Sequence, residues 1–509
     1  MNNEYVLAID LGTGSCRAVV FDRDGQAVAT RGHEWTHPVP EGVPGGEDFD
    51  VDPDWRAICA CIRAVIADIG GDASRIKAVS ATSMREGIVL YDESGTELWA
   101  CTNGDARASK QVEDLVASGD AERIYAQAGD WVAITSPGRL RWLAENRPEI
   151  VARTRSISLL SDWVVYRLSG VIATEPSCGS SSGMFNLSTR SWSPQIAALC
   201  GLDEDVFPPV VEPGSRVGVV TERAAEESGL IAGTPVAAGG ADTQLGLLAT
   251  GTRSGELTVV GGTFWQTALL ISQPTIDPQR RLRTLCDVHP GQWMIEGVSF
   301  WPGLSMRWLR DAICADLDGY EGMEWLAQQV EPSRDGVMAM LSNVMNAKRW
   351  VHSTPAFLQF DVTDPVHCGR GAMVRAVEEA AAYVSRAHCD LLREVTGATI
   401  DEVVFTGGAA KGTLWPQIVA DVLDMPLHIP AVTESSALGA ALCAGVAAGW
   451  YTSPQEPLPH LRDRQRTYLP DANAATYQDM YGHWRETYAR MEQMTEDLGL
   501  KPLWRAAGT

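Results

Sequence analysis

No C-x-x-C pair occurs among the eleven cysteines of this 509-residue sequence, which excludes a zinc ribbon and a thioredoxin-type redox motif. The cysteines are scattered singly from Cys16 to Cys443, with Cys59 and Cys61 the only close pair. That pattern suits a reducing compartment, where cysteine packs as a small hydrophobe. No Gly-Lys dipeptide is present, so a P-loop nucleotide site is excluded, and Gly12-Thr-Gly-Ser-Cys-Arg17 lacks the last glycine of the dinucleotide fingerprint. Basic residues are in deficit, 41 Lys and Arg against 65 Asp and Glu, and the formal charge of -24 argues against a general nucleic-acid binder. Any phosphate bound here is held locally. The longest uncharged run of small residues, Ser435 to Trp450, is too short and too rich in Ala and Gly to cross a membrane and predicts a closely packed helix. The opening residues show no basic segment followed by an apolar one, so a cytoplasmic location is expected.

What is present is an ordinary enzyme composition, 45% apolar and 21% charged, in a chain long enough for two large domains. Tyr5 to Ile9 is an apolar run that stops at Asp10; a Gly/Thr/Ser turn follows and Arg17 to Phe21 resumes, which predicts a β-hairpin. A second turn leads to a third strand. Asp52 and Pro53 then predict a helix start, followed at helical spacing by Trp55, Ile58, Ile62, Val65 and Ile69, and Ile76 to Ser80 reads as a strand. A related pattern restarts later. Pro235 to Ala238 is a strand ending in Gly239-Gly-Ala-Asp242, and Glu256 to Val260 turns through Gly261-Gly262-Thr263 into Phe264 to Leu270. Glu402 to Phe405 reads as a strand, Gly407-Gly408 as a turn, and Thr413 as the cap of a helix. The domain boundary is placed near residue 252, giving domains 1–252 and 253–450 and a helical C-terminal extension over 451–509.

A strand ending in Asp10 before a Gly/Thr/Ser turn can surround a phosphate with backbone N–H groups and hydroxyls, while the carboxylate attracts Mg²⁺. An ordinary hairpin uses the same residue types. Two such turns, at Gly12 to Ser15 and at Gly261 to Thr263, could grip phosphates from two sides. Asp242 at a strand end would project into a crevice, where transfer of a phosphoryl group to an alcohol needs a carboxylate to orient the hydroxyl and take its proton; a turn or capping Asp is the plainer alternative. Arg85-Glu86-Gly87 offers a donor and an acceptor for polyol hydroxyls, or else a surface ion pair. None of the nine histidines is assigned to a metal.

With these segments together, the chain resembles the FGGY carbohydrate kinases over nearly its whole length. The residues that carry the resemblance are Asp10-Leu-Gly-Thr-Gly-Ser-Cys-Arg17, Gly239-Gly-Ala-Asp242, Gly262-Thr263, Glu296-Gly-Val-Ser-Phe-Trp-Pro-Gly303, Gly407-Gly-Ala-Ala-Lys411 and Glu434-Ser-Ser-Ala-Leu-Gly-Ala-Ala441. The resemblance implies an α/β fold of two ribonuclease-H-like domains of the actin and hexokinase superfamily. ATP and Mg²⁺ would lie between them, with a sugar beside the catalytic Asp. Within the family, Ser83-Met-Arg-Glu-Gly-Ile-Val-Leu-Tyr91, Trp99-Ala-Cys-Thr-Asn-Gly-Asp-Ala-Arg107 and Gly261-Gly-Thr-Phe-Trp-Gln266 most resemble autoinducer-2 kinases, which phosphorylate the terminal hydroxyl of linear dihydroxypentanedione. Asp105-x-Arg107 is also similar to the Asp-Gly-Arg of xylulokinases, so a pentulose such as D-xylulose stays open.

The implied roles are Asp242 as base, Asp10 on Mg²⁺, and Thr13, Gly14, Ser15, Arg17, Gly262 and Thr263 at the phosphates. Gly303, Gly408 and Ala409 would make room for the nucleoside, and Arg85, Glu86, Asp105 and Asp242 would meet the sugar or polyol. An actin-like or chaperone-like ATPase without an acceptor, and a catalytically dead sugar-binding regulator, are the rival readings. No nucleic-acid or membrane partner is expected, and a homodimer stays open.

Overall fold

The computed structural model describes residues 4–344, 351–365, 367–432, 434–456 and 458–506. Two seven-stranded sheets organise the chain, and they repeat one topology. In the first, the strands Ala27–Glu34, Ser15–Phe21, Tyr5–Gly12, Ile76–Ser83, Pro235–Ala237 and Arg216–Val219 lie side by side in that order, with Gly240–Ala241 also pairing to Ile76–Ser83. In the second the order is Arg283–Cys286, Trp293–Ser299, Trp265–Ile271, Leu257–Gly261, Val403–Thr406, Leu427–Pro430 and Arg464–Tyr468. Each sheet contains an antiparallel three-stranded meander whose first strand pairs in parallel with the strand that follows the domain's crossover. This is the duplicated ribonuclease-H-like arrangement the resemblance implies, and the predicted strands agree with it to within a few residues at their ends. The first helix runs Val51–Asp68 with Asp50 at its cap, two residues before the cap expected at Asp52.

Period-two alternation explains how the central strand Tyr5–Gly12 delivers Asp10. Leu7, Ile9 and Leu11 pack with Ile58, Ile62 and Val65 of the first helix, whereas Val6 and Ala8 face the opposite way, onto the helices Asp242–Ala249 and Ser435–Ala447. Asp10 continues the second set. Beyond its polar first turn the helix Asp242–Ala249 is apolar and serves both halves: Leu245 and Leu248 join the core under the first sheet, and Leu247 joins Ala268, Leu270 and Met294 of the second. Helix Ser435–Ala447 is the predicted small-residue helix, and it packs across the first sheet. Its Gly439 is where the two helices touch, since a Cβ there would lie 2.3 Å from the Leu245 carbonyl oxygen.

The expected helical C-terminal extension holds more than a helix. Before the helix Ala474–Asp497, the strand Arg464–Tyr468 pairs antiparallel with Leu427–Pro430 and completes the edge of the second sheet. Its unbroken polar sequence, Arg-Gln-Arg-Thr-Tyr, conceals the strand from a reading based on apolar runs. An inserted three-stranded sheet of Glu97–Cys101, Ile88–Tyr91 and Ser156–Leu159, with its own helices, stands beside the end of Ile76–Ser83 and carries Arg85 and Glu86 into the cleft.

Candidate functional site

The hairpin register sets Asp10 opposite Arg17, so the two side chains share a face. Arg17 Nη2 donates to Asp10 Oδ2 at 2.7 Å, and its Nη1 donates to Glu434 Oε2 at 2.9 Å, at the start of helix Ser435–Ala447. Asp10 is buried, and burial raises its pKa against the pull of Arg17. The turn between the strands leaves Thr13 and Gly14 exposed and Ser15 half-buried. Asn103 Nδ2 donates to Thr13 Oγ1 at 3.2 Å, and the Trp35 indole donates to the Gly12 carbonyl at 3.1 Å, which pins the turn from below.

Asp242 is the first residue of its helix, where the helix dipole favours a carboxylate, and its Oδ1 accepts from the Thr243 amide at 2.6 Å. Its pKa is pushed up to about 6, first by burial, with Arg85 pulling it down and Asp10 adding to the rise. A cavity of about 210 Å³ opens beside it, lined by Asp242, Gly262, Thr263, Gln266, Thr406 and Ser435 among others. The structure therefore brings the strand-end carboxylate and the second Gly/Thr turn to one space. Gly303 supports that turn from behind: a Cβ there would sit 2.2 Å from the Gly262 carbonyl oxygen and 3.1 Å from Thr263 Cα. Gly408 is exposed, with only the Gly261 carbonyl oxygen near the place of a Cβ, at 3.9 Å, and half-buried Ala409 follows it beside Gly261.

Arg85 and Glu86 are both 7% exposed, so the alternative of a surface ion pair is excluded. Glu86 adopts φ 65°, a left-handed backbone that a side chain rarely takes, and its carbonyl accepts from Arg139 Nη1 at 2.7 Å. Three further charged residues meet the pair. Arg85 Nη1 donates to Glu296 Oε1 at 2.6 Å, while Arg283 Nη2 donates to Glu86 Oε1 at 2.6 Å and to Asp130 Oδ2 at 2.5 Å. All three are buried. Glu296 stands inside a quoted motif without an assigned role, and its signal is a lone carboxylate in the otherwise uncharged strand Trp293–Ser299. Arg283 and Asp130 carry no local signal.

Asp105 is not gathered with this group directly. Its Oδ2 accepts from Arg107 Nε at 2.6 Å and from the Glu47 amide at 2.8 Å, and Arg139 links its main chain to that of Glu86. The pentapeptide His33-Glu-Trp-Thr-His37 spells the H-E-x-x-H zinc pattern, a match that the assignment of no histidine to a metal passes over. It lies on the strand Ala27–Glu34 and the extended chain after it, where residues four apart stand ~13 Å apart instead of on one helical face. No group of three or more metal-ligating side chains suited to an ion occurs among the described residues.

The site thus holds a buried carboxylate, Asp10, beside the first glycine turn, and a half-buried one, Asp242, that shares a cavity with the second. Residues 5–249 match the N-terminal domain and residues 257–448 the C-terminal domain of the FGGY family of carbohydrate kinases. The chain belongs to this family. It is 42% identical over 528 aligned positions to an autoinducer-2 kinase of Yersinia pseudotuberculosis, covering 100% of this chain and 98% of that protein, and equally to one of Yersinia pestis. Among solved structures, a xylulose kinase from Rhodospirillum rubrum superposes with TM-score 0.85 at 22% identity over 97% of this chain and all of the other. Plasmodium falciparum glycerol kinase with ADP gives 0.83 at 17% over 96% and 98%. At those identities the likeness concerns the fold. As an FGGY kinase the protein is a phosphotransferase acting on an alcohol group, and no helix among the described residues is long and apolar enough to cross a membrane.

Proposed function

We propose that this FGGY kinase transfers the γ-phosphoryl group of ATP to the primary hydroxyl of dihydroxypentanedione, the linear autoinducer-2 precursor. The observation that carries the reading is the buried Arg85–Glu86 pair beside Asp242, a set of donors and acceptors that an acceptor-free ATPase has no use for. Full-length identity of 42% to autoinducer-2 kinases supports the choice of acceptor. Asp242 takes the proton of the attacking hydroxyl, and a pKa of about 6 leaves it ionised at neutral pH yet basic enough to accept it. Thr263 and the backbone of its turn bind the terminal phosphate from one side, and Thr13, Gly14, Ser15 and Arg17 from the other. Gly303, Gly408 and Ala409 leave room for the nucleoside. Asp105 orders the chain next to the acceptor.

Asp10 and Asp242 fit a divalent cation nearby, because both are carboxylates raised by burial and the charge of Asp10 raises Asp242 further, a cost that positive charge at the site would relieve. Asp10 would hold Mg²⁺, which neutralises phosphate charge during transfer. Closure of the two domains keeps water from the acceptor position, where it would turn the kinase into an ATPase. A reducing cytoplasm suits eleven free cysteines.

The test is ADP release at fixed ATP and Mg²⁺, with dihydroxypentanedione, D-xylulose, L-xylulose, D-ribulose and glycerol side by side. The expected outcome is the highest kcat/KM for dihydroxypentanedione. D-Xylulose as best acceptor would overturn the substrate and keep the kinase; no stimulation by any acceptor would favour the ATPase reading.

A further inference from the structure

Four buried side chains, Arg85 and Glu86 among them, close into a ring of alternating charge. Arg85 reaches Glu296 at 2.6 Å; Glu296 lies 3.7 Å from Arg283; Arg283 reaches Glu86 at 2.6 Å; Glu86 lies 3.9 Å from Arg85 Nε. Asp130 takes a further bond from Arg283. The ring has two origins. Arg85 and Glu86 follow the strand Ile76–Ser83 of the first sheet, whereas Arg283 and Glu296 face each other across the antiparallel pair Arg283–Cys286 and Trp293–Ser299 at the edge of the second. One residue of register slip would turn Arg283 away from Glu296 and open the ring.

The energetics of such a ring are demanding. Burying these charges costs desolvation that only good mutual geometry repays, and removing one member leaves its partner charged and alone. Two polar atoms in the ring, Arg283 Nε and Glu296 Oε2, are buried and have no partner in the protein. The strained backbone of Glu86 also needs an outside hold, and Arg283 Nη2 supplies it to the carboxylate while Arg139 supplies it to the carbonyl.

We propose that Arg283 and Glu296 are specificity-determining positioning residues: supplied by the second domain, they set Glu86 and Arg85 in the orientations that select a small linear acceptor with adjacent carbonyl and hydroxyl oxygens. A guanidinium donates to a carbonyl oxygen and a carboxylate accepts from a hydroxyl, so alternating charges match alternating oxygens, and an acceptor out of step leaves buried groups unpaired. Because the ring spans both sheets, the acceptor end of the cleft is set up only when the two domains stand in this relation. The inference rests on the kinase reading above.

The experiment compares Arg283→Lys, Glu296→Gln and Asp130→Asn with wild type for acceptor kcat/KM, acceptor ranking, ATP KM, acceptor-free ADP release and melting temperature. Arg283→Lys keeps the charge but cannot present one nitrogen to Glu86 and Asp130 and a second, Nη1, to Glu296 in the fixed planar geometry of a guanidinium; Glu296→Gln keeps the shape and removes the charge that Arg85 faces. Expected is a fall in kcat/KM for the best acceptor of ~10-fold or more in both, a narrower gap between acceptors, and ATP KM and acceptor-free ADP release within about twofold of wild type. A double-mutant cycle of Glu296→Gln with Glu86→Gln should be non-additive. Unchanged acceptor ranking and kcat/KM in the folded variants, or an equal loss of ATP and acceptor parameters, overturns the proposal. If Arg283→Lys and Glu296→Gln fail to fold, Asp130→Asn decides by the same ranking. Failure of the kinase reading is distinct: wild type itself would then show no acceptor-stimulated ADP release.

Discussion

The hydroxyl of Ser177 accepts a hydrogen bond from the amide of Ala241 at 2.9 Å, one residue before Asp242. Ser177 Oγ itself donates to Glu175 Oε2, the carboxylate that caps the short helix Pro176–Ser181 and also accepts from the amides of Ser177 and Cys178 at 2.8 and 3.1 Å. A single hydroxyl thus ties the strand end that leads into Asp242 to a buried helix cap. Ser177→Ala leaves the buried Ala241 amide unpaired, at a cost of ~1–3 kcal/mol, and loosens the approach of Asp242. We expect a lower melting temperature and a kcat reduced ~10-fold with ATP KM little changed. Unaltered kcat in a variant of lowered melting temperature would confine Ser177 to stability.

Asp242→Asn removes the base while keeping the shape, and should lower kcat by at least ~10²-fold with nucleotide binding intact. In wild type, the base must be ionised. With its pKa raised to about 6, the rate should be full above that value and fall as pH drops through it, measured as a kcat/KM profile from pH 5 to 8. A profile flat to pH 5 would contradict the assignment.

Gly303→Ala places a methyl group against the Gly262 carbonyl oxygen, where a Cβ would lie at 2.2 Å, and the Gly262–Thr263 turn must move. ATP KM should rise ~10-fold while acceptor KM changes less. Thr263→Val, which deletes only the hydroxyl, should move the same constant in the same direction by a smaller factor. Both are read by initial rates with ATP and acceptor varied in turn at saturating levels of the other; a shift in acceptor KM alone would place the turn elsewhere in the reaction.

Glu175 and Asp162 are buried carboxyls pushed up to about 8 and about 7, and burial is the first cause for both. Both values lie above those of an unfolded chain, about 4. As pH rises past 4 the unfolded chain ionises first, so these groups take away stability until the folded carboxyls ionise near their raised values. Glu175→Gln keeps an acceptor for the Ser177 and Cys178 amides and removes one of the two ionisations. The urea midpoint of the variant should decline less than that of wild type between pH 5 and pH 8. Parallel declines would show that Glu175 is not the source.

Local chemistry made much of the fold and half of the site legible. Asp10, Thr263 and Asp242 could be picked out because an apolar run, a glycine turn and a polar residue at the strand end are neighbours in the chain. The helix Leu414–Leu423 starts after Thr413 as expected, but the Thr413 hydroxyl does not cap it: Glu324, 89 positions earlier, accepts from the amides of Thr413 and Leu414. The strand Arg464–Tyr468 was less legible, since it is an edge strand of successive polar residues.

What the sequence by itself determined are those features that backbone geometry ties to residue spacing: the two hairpins, their turns, and the carboxylates at strand ends. Only the tertiary structure decided that Arg85 meets Glu296, 211 positions away, and that Glu86 meets Arg283, 197 positions away. It also decided that Asp105 serves Arg107 and the Glu47 amide. Neither spacing nor propensity encodes such pairs, because they follow from the register at one sheet's edge and from how two sheets pack about the helix Asp242–Ala249. A charged residue's partner is chosen by the packing that removes water from it, and that packing exists only once the chain has folded.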